Sequence, residues 1–327
     1  MNYKKIAEAA GVSVGTVSKA FSYSREISEK TREKIFAIAR EAGVLEKYTG
    51  AKYEKRVIAV LCPEIVSQHY AEMVTILDSM IKEKGDLMTV AITDFSGKTT
   101  AELYRYYEKF SGVDGILVIS SDEFLPEKRN IPVVMMGRKP KNSKIDAVEA
   151  SSEDAIYEAV RYLKKNHRQR IAFIGDPLTA GKQAAYEKAL LRCGIPVYHH
   201  LIVSSEKRFE EAGYDGVEKL LRLSAPPDAL IAAYDYIAIG AVQALKKHGK
   251  SVPKDVSVIG MDDIRLSSYL DVPLTTIRPD LRQSCEAALE LLYKKIDNRF
   301  YFSREKKVVP AALVIRDSVV DIEQEET

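Results

Sequence analysis

The sequence has few cysteines and no long apolar run, and both absences exclude classes of protein. Its three cysteines, Cys62, Cys193 and Cys285, are far apart and lack CxxC spacing. This pattern argues against a disulfide framework or a zinc site and favours a reducing cytoplasm. No stretch approaches the roughly 20 continuous apolar residues of a membrane helix. The N-terminal MNYKKIAEAAG lacks the apolar core of a signal peptide. We therefore expect a cytoplasmic chain that is neither exported nor bound to a membrane.

Signatures of catalysis and metal binding are scarce as well. There is no GxGxxG or GxxxxGK[ST] segment, and the five histidines show no HExxH spacing. The carboxylate pair Asp262-Asp263 cannot act together as acid and base on a strand, because adjacent strand residues point to opposite faces. We expect neither an enzyme nor a metal or organic cofactor.

The net charge of +2 is divided unevenly along the chain. Residues 1–56 contain 12 lysines and arginines against seven glutamates, a net charge of +5, so the remaining 271 residues have a net charge of −3. A small basic segment before a mildly acidic body favours contact with a polyanion.

The segment YKKIAEAAGVSVGTVSKAFS, residues 3–22, predicts two short helices joined by a tight turn. Its helical spacing of apolar residues is broken once, at Gly11, which can adopt the left-handed conformation that ends a helix. Ser13 then supplies an N-cap for a second helix from about Val14 to Phe21. These offsets are typical of a helix-turn-helix, whose second helix docks in the major groove of DNA. The alternative is an ordinary helical hairpin within a larger domain.

A third helix is predicted at 28–42, and it completes a three-helix head. Three of its residues should face inward: Ile35, Ile38 and Ala39. Ala7 and Val17 should meet where the first two helices cross.

The segments IAEAAGVSVGTVSKAF, ISEKTREKI and AIAREAG resemble the DNA-binding head of the LacI/GalR family. The resemblance implies base contacts from Val14, Gly15 and Lys19. It also implies DNA-backbone contacts from six hydroxyl-bearing residues: Tyr3, Ser13, Thr16, Ser18, Ser22 and Thr31. Lysine can reach guanine O6 and N7, valine can touch a thymine methyl, and hydroxyls can donate to phosphate oxygens. The alternative for each residue is a solvated helix surface.

The hinge segment that follows departs from the family's pattern. Glu46 and Lys47 stand where the family has Pro-Asn, and Gly50 weakens a helix by about 1 kcal/mol. Tyr53 stands at the position of the leucine that enters the minor groove. Two interpretations of Tyr53 stay open, an aromatic wedge in DNA or a solvated linker residue.

From Val57 onward, strand-like apolar runs alternate with amphipathic helical stretches. The predicted strands are 57–62, 88–93, 115–120, 132–137, 170–175, 229–234 and 256–262. The predicted helices lie near 70–84, 100–111, 153–166, 181–193, 209–223 and 236–249. Together with the head, this predicts a small all-α helix-turn-helix unit plus an α/β core of two doubly wound parallel-sheet lobes. Ligands bind at the carboxyl ends of such strands, so we expect a pocket between the lobes.

The blocks VDGILVIS, IPVVMMGR, PPDALIAAYDYIAIGAVQALKKHGKSVPKDVSVIGMDD and YLDVPLTTIRPD extend the resemblance through most of the body, with its periplasmic-binding-protein-like fold. The resemblance implies effector contacts from six residues: Tyr70, Arg138, Lys182, Tyr234, Asp235 and Asp262. A strand-end carboxylate can accept hydrogen bonds from vicinal hydroxyls, which suits sugars. For Asp235 the alternative is helix capping. The loop 64–71 should place Gln68, His69 or Tyr70 in the cleft, and for Tyr70 the alternative is helix packing. Lys182 and Tyr234 replace an arginine and an asparagine of the family's usual hexose pattern, and Ser151-Ser152 replaces Asp-Asn.

We expect a helix-turn-helix domain at 1–45, a hinge at 46–56, an effector-binding and dimerisation domain at 57–318 and an acidic tail at 319–327. The first lobe should span about 57–146 and 278–305, and the second about 147–275 and 306–318.

The resemblance implies a sequence-specific DNA-binding regulator, most simply a repressor. It would bind a near-palindromic operator in double-stranded DNA as a homodimer, controlled by a small polar effector such as a sugar or sugar derivative. The alternatives are a protein co-regulator or a nucleobase-type co-repressor. A periplasmic binding protein would share the two-lobed body but would carry an export signal and no DNA-binding head.

Overall fold

The structure is a computed structural model that describes residues 1–22, 24, 26–48, 55–119, 130–137, 145–298 and 305–320, with residues 46 and 47 described by their backbone only. The chain forms two compact units, Met1–Arg56 and Val57–Thr327, called here the head and the body. No helix among the described residues is long and apolar enough to cross a bilayer.

The described residues of the head form four helices: α1 Tyr3–Ala10, α2 Val14–Phe21, α3 Glu29–Glu41 and α4 Leu45–Tyr48. Gly11 ends α1 with φ 65°, a left-handed conformation that glycine adopts without a Cβ clash. The Ser13 hydroxyl accepts the backbone N–H of Thr16 at 3.0 Å and so caps α2. The predicted helix-turn-helix is confirmed.

The three longer helices bury one small apolar core. Its fully or nearly buried members are Ile6, Ala7, Ala10, Val17, Ala20, Phe21, Ile35 and Ala39. Ala7 and Val17 both belong to it, as predicted for the crossing of α1 and α2, whereas Ile38 is only partly buried. Because the core uses the inner faces alone, the outer face of α2 is left for other contacts.

The body alternates strands and helices. Its strands are β1 Val57–Cys62, β2 Leu87–Ile92, β3 Gly115–Ile119, β4 Val133–Met136, β5 Asp146–Ser151, β6 Ile171–Gly175, β7 Ile202–Ser204, β8 Ala229–Ala232, β9 Ser257–Met261, β10 Thr275–Pro279 and β11 Lys306–Val314. Its helices are α5 Gln68–Glu83, α6 Gly97–Phe110, α7 Glu153–Lys165, α8 Ala180–Arg192, α9 Phe209–Leu220, α10 Asp235–Lys247 and α11 Leu281–Asp297.

Two sheets share the long strand β11, and this divides the body into two lobes. The strand order is β2-β1-β3-β4-β5-β11 in the first lobe and continues as β11-β10-β9-β8-β6-β7 in the second. All described pairs are parallel except β10 with β11. Residues 306–310 pair with β5, and the rest of β11 pairs with β10. The two predicted parallel-sheet lobes are confirmed.

The lobe boundaries differ from the expected ones. The second lobe was expected to begin at about residue 147, but β5 pairs with β4 and with β11 in the first sheet. Residues 306–310, expected in the second lobe, also extend the first sheet. The sequence DAVEAS of β5 has no long apolar run, because its second half is only partly buried. Its assignment therefore depends on pairing with strands distant in sequence.

Each lobe has its own apolar core. In the first lobe, α5 and α11 cover one face of the sheet, with Leu77, Ile81, Cys285 and Leu292 among the buried residues. On its other face Tyr104 of α6 is fully buried. The second lobe's core continues through α7, α8, α9 and α10. Packing in these cores holds the strands in place, and the cleft forms between the strand ends of the two lobes.

Candidate functional site: an exposed recognition helix and a polar interlobe cleft

The outer face of α2 presents the three residues assigned to base contacts. Val14 is 47% exposed, although it is an apolar residue. Gly15 is open, since a Cβ added there would meet only the Ser13 hydroxyl, at 3.6 Å. Lys19 is exposed and forms an ion pair with Glu26, also exposed. The structure thus brings Val14, Gly15 and Lys19 together on one solvent-facing surface, called here the recognition face.

The hydroxyl residues assigned to DNA-backbone contacts differ in exposure. Ser13, Ser18 and Ser22 are exposed, and Thr16 and Thr31 are partly buried. Ser13 lies in a GVSVG segment that fits the letters of the hydrolase pattern GxSxG, but its hydroxyl is used to cap α2. Tyr3 stacks on Phe21 with ring centroids 5.4 Å apart, so its ring supports the head core as well as bordering the surface.

The predicted hinge contacts are Lys47, Gly50 and Tyr53. Gly50 and Tyr53 lie outside the described residues, as does the side chain of Lys47. Within α4, the hydroxyl of Tyr48 donates to the carbonyl oxygen of Met1 at 2.8 Å, which links α4 to the N-terminus of the head.

The body contains a cavity of about 240 Å³ between its lobes. It lies at the carboxyl ends of the strands, where α/β sheets bind ligands. The first lobe contributes Glu64, Ser67, His69, Tyr70 and Phe95, and the second contributes Asp176, Lys182, Arg208, Phe209, Tyr234, Tyr236 and Asp262. Of the predicted effector residues, Tyr70, Lys182, Tyr234 and Asp262 line this cavity. Arg138 lies outside the described residues.

A carboxylate with two basic neighbours lies at the end of β9. Asp262 follows the strand with φ 98°, and its Oδ1 lies 3.3 Å from Nζ of Lys182 and 3.8 Å from Nδ1 of His69. Lys182 also donates to the carbonyl oxygen of Ala233 at 2.7 Å. Burial lowers the pKa of His69 against the opposing effect of Asp262, which favours a neutral imidazole. Asp263 turns elsewhere, toward an ion pair with Arg316 at 2.6 Å.

A bidentate ion pair joins the two lobes at this cavity. Arg208, just before α9, donates to both carboxylate oxygens of Glu64, which follows β1, at 2.9 and 3.1 Å. Its guanidinium carbon also lies 4.9 Å from the ring centroid of Phe95 and 4.6 Å from that of Phe209. The hydrogen bonds to Glu64 raise the pKa of Arg208. We call this Glu64–Arg208 pair the interlobe latch.

A second direct contact crosses between the lobes nearby. The backbone N–H of Arg265, after β9, donates to Oε1 of Gln68 at 3.0 Å, and Gln68 begins α5. With the latch and the approach of His69 to Asp262, residues 64–69 contact the second lobe at three points. The structure therefore shows the cleft in a closed form.

Three buried polar atoms of the cavity wall have no hydrogen-bond partner in the described part of the chain. They are Oγ of Ser67, Nδ1 of His69 and Nε of Arg208. Ser67 is only 8% exposed, and although it stands at the N-cap of α5 its hydroxyl makes no capping bond. Buried polar groups are normally satisfied, so three such atoms around one cavity indicate a site built for a polar molecule.

The predicted role of Asp235 as an effector contact requires correction. Its side chain is 0% exposed, and it accepts hydrogen bonds from the Ile264 N–H at 2.8 Å and from the hydroxyls of Ser267 and Thr276 at 2.6 Å each. It is absent from the wall of the cavity. The carboxylate instead links the start of α10 to the segment after β9 and to β10. Its role is therefore structural, and the proposal that it contacts the effector is wrong.

Sequence reasoning missed several cavity residues, among them Glu64, Asp176 and Arg208. Asp176 directly follows β6, the same strand-end position that pointed to Asp262, and it accepts the hydroxyl of Tyr234 at 2.7 Å. The strand-end position could therefore have predicted Asp176 as a cavity residue. Arg208 gave no such signal, because its partner Glu64 is 144 residues away in the sequence.

Comparison with known proteins agrees with this architecture. Residues 2–44 match the family described as bacterial regulatory proteins, lacI family, and residues 160–319 match a periplasmic binding protein-like domain. The transcriptional repressor CytR of Escherichia coli is 30% identical over 330 residues, covering 96% of this chain and 95% of CytR. The repressor PurR of Vibrio parahaemolyticus is 28% identical, covering 97% and 98%.

Solved structures show the same fold. A complex of the transcriptional regulator CelR with cellobiose has a TM-score of 0.72 at 25% identity, covering 97% of this chain and 99% of CelR. The lac repressor dimer bound to operator and the anti-inducer ONPF has a TM-score of 0.73 at 23% identity, covering 98% and 99%. A helix-turn-helix head joined to a two-lobed α/β body defines a class of DNA-binding transcription regulators. The chain belongs to the lacI family and is a DNA-binding transcriptional repressor rather than an enzyme.

Proposed function

We propose that this repressor acts in the cytoplasm as a homodimer that binds a near-palindromic operator, and that a small polar effector in the interlobe cleft sets its DNA affinity. One observation supports the proposal most strongly. The same chain contains an exposed recognition face and an interlobe cavity whose wall has buried polar atoms without partners among the described residues. The relatives support it, since one structure holds cellobiose and another is a dimer on its operator.

On the DNA side, Val14, Gly15 and Lys19 would read base edges in the major groove. Lys19 is held by Glu26 in the free protein, so it must exchange that carboxylate for the base. Ser13, Thr16, Ser18, Ser22 and Thr31 would contact the DNA backbone and fix the register of α2. Lys47, Gly50 and Tyr53 stay proposed as hinge contacts with the minor groove.

On the effector side, the cavity supports Tyr70, Lys182, Tyr234 and Asp262 as contact residues, and Arg138 stays a proposed contact. A cavity with unpartnered polar atoms suits a small molecule better than a protein co-regulator, which would dock on an outer surface. Binding there changes the angle between the lobes and hence the spacing of the two heads in a dimer.

The DNA-binding proposal is tested by selecting bound duplexes from a random pool at near-physiological salt. The wild type should enrich a two-fold-symmetric site, because two identical heads read two half-sites. Lys19→Ala should lose discrimination at one position per half-site by about 1–3 kcal/mol.

The matched control is Lys34→Ala, which removes an exposed lysine from α3 of the same head. It should at most weaken binding evenly across sequences, as expected for a phosphate contact. If Lys34→Ala relaxed the sequence preference and Lys19→Ala did not, the assignment of α2 as the recognition helix would be refuted.

A further inference from the structure

A cluster of cations lies at the amino ends of β6 and β9, opposite the carboxyl ends that face the cavity. Arg168 precedes β6, and Lys250 and Lys254 precede β9. The guanidinium of Arg168 donates to the carbonyl oxygens of Pro253 and Lys254, both at 2.8 Å, and so joins the loops that lead into the two strands. We call Arg168, Lys250 and Lys254 the basic end of the second lobe.

The positive charge of the basic end is only partly balanced. Both lysines are exposed, and neither forms an ion pair with a residue that the structure describes. Arg168 donates to two carbonyl oxygens and one hydroxyl, which are uncharged acceptors. Hydrogen bonds from Ser251 lower the pKa of Asp255, and the charges of Lys250 and Arg168 lower it further. Asp255 is thus a carboxylate beside the basic end, and three cations remain for an additional anionic partner.

An acidic segment begins beside this basic end. The backbone N–H of Val320 donates to Oγ of Ser257 at 3.4 Å, and the same oxygen accepts from Nε of Arg168 at 3.1 Å. Residues 321–327 follow, outside the described residues, with the sequence DIEQEET, which has four carboxylates and no lysine or arginine. Seven residues can extend over about 25 Å. Lys254 lies three residues before Ser257, so the acidic segment can reach it.

We propose that residues 321–327 dock on the basic end of the same chain and keep it from binding the phosphates of DNA. This inference goes beyond the proposed function, because it concerns neither the recognition face nor the effector. The short connection gives the segment an effective concentration in the millimolar range, so weak individual ion pairs suffice. Without the segment, the basic end would attach the body to any duplex, since phosphate contacts contain no sequence information.

Zero-length cross-linking of the full-length chain with a carbodiimide tests the docking directly, because the reagent joins a lysine amine to a carboxylate only where the two meet. Mass spectrometry should find Lys250 and Lys254 joined to residues 321–327 at low salt. These cross-links should disappear at about 1 M salt, where ions screen exposed charges. The matched control is Lys98, an exposed lysine on α6 of the first lobe, which should stay unlinked to the segment.

Two cross-linking results would overturn the proposal. One is a segment that links to Lys98 as often as to Lys250 and Lys254. The other appears in an equal mixture of unlabelled and heavy-isotope-labelled chains, if every linked pair of peptides comes from two different chains.

The effect on DNA binding is measured by fluorescence anisotropy of a random-sequence duplex. In a chain that ends at Val320, the double substitution Lys250→Gln and Lys254→Gln should lower affinity by about three-fold or more. In the full-length chain it should lower affinity by less than about two-fold, because the segment already covers both lysines. A general effect of net charge would instead be additive and equal in the two chains.

Lys98→Gln serves as the control for the loss of a charge alone, and it should act equally in both chains. An equal effect of the double substitution in the two chains would show that residues 321–327 do not cover the basic end. Selection of operator duplexes should give the same site with and without the segment, because the recognition face belongs to the head. Failure of this inference is therefore distinguishable from failure of the proposed function.

Discussion

Removal of one charge from the interlobe latch should open the cleft measurably. Glu64→Gln keeps the shape of the side chain but replaces a carboxylate oxygen that accepts from Arg208 with an amide that cannot. The lost hydrogen bond is charge-assisted, a type that contributes about 1.5–3 kcal/mol. Solvent screening lowers this value, since the Arg208 side chain is 32% exposed and that of Glu64 11%.

We therefore expect Glu64→Gln to cost the closed form about 1–2 kcal/mol, which lowers the closed-to-open ratio roughly 5- to 30-fold. The contact between Gln68 and the Arg265 N–H should break whenever the lobes separate, because it too crosses the cleft. Hydrogen exchange at the amide of Arg265, followed by mass spectrometry without effector, then reports on opening. Amides in the centre of β8 should exchange at the wild-type rate.

The matched control is Glu158→Gln, which removes a carboxylate paired with Arg161 on the surface of α7, within one lobe. It should leave exchange at Arg265 unchanged. If Glu64→Gln also left that exchange unchanged, the Glu64–Arg208 pair would not hold the lobes together, and the closed cleft would need another explanation.

Three further predictions concern packing, pH and DNA affinity. Gly240→Ala should lower the free energy of unfolding by about 3 kcal/mol or more, because its Cβ would lie 1.9 Å from the carbonyl oxygen of Glu210, between α9 and α10. Urea denaturation checks this, and an unchanged midpoint would contradict it. Burial raises the pKa of Asp235 to about 7, so the folded state binds more protons than the unfolded state between about pH 4 and 7, and stability falls as pH rises through that range, by at most about 4 kcal/mol. Asp235→Asn should flatten this slope in urea titrations at several pH values; an equally steep slope would assign it to other groups. Glu26→Gln should raise affinity for operator duplexes several-fold, because Lys19 no longer exchanges a carboxylate partner for DNA. Fluorescence anisotropy measures the change, and weaker binding would show that Glu26 positions Lys19.

Local sequence patterns were sufficient to predict the helices of the head. Gly11 and Ser13 end and begin helices through their own backbone and side-chain chemistry, and the structure shows both at those positions. The long apolar strands of the body were equally clear, since β1 spans Val57–Cys62 as predicted. Parallel strands with two buried faces form continuous apolar runs that are visible in the sequence.

Two of the strands that were not predicted, β5 and β11, depend on pairing with strands distant in the sequence. The strand β11 reads KKVVPAALV and joins both sheets. Its apolar stretch contains Pro310, and a proline within such a stretch argues against a central strand. The end-of-strand rule pointed to Asp262, which lines the cavity, and also to Asp235, which does not and for which helix capping was the alternative. The difference arises from Ser267 and Thr276, which reach Asp235 from 32 and 41 residues away. Tertiary contacts thus decide whether a strand-end carboxylate faces the cavity or is buried among other elements.

Occupancy of the interlobe cleft should set the DNA affinity of the recognition face. The measurement is fluorescence anisotropy of the selected operator duplex, titrated with wild-type protein with and without a saturating concentration of a small polar compound that binds the body. We expect operator affinity to change by about 5- to 150-fold, the usual range of coupling between two sites, while affinity for random duplex changes far less. An operator affinity that is the same with the cleft occupied and empty would contradict it.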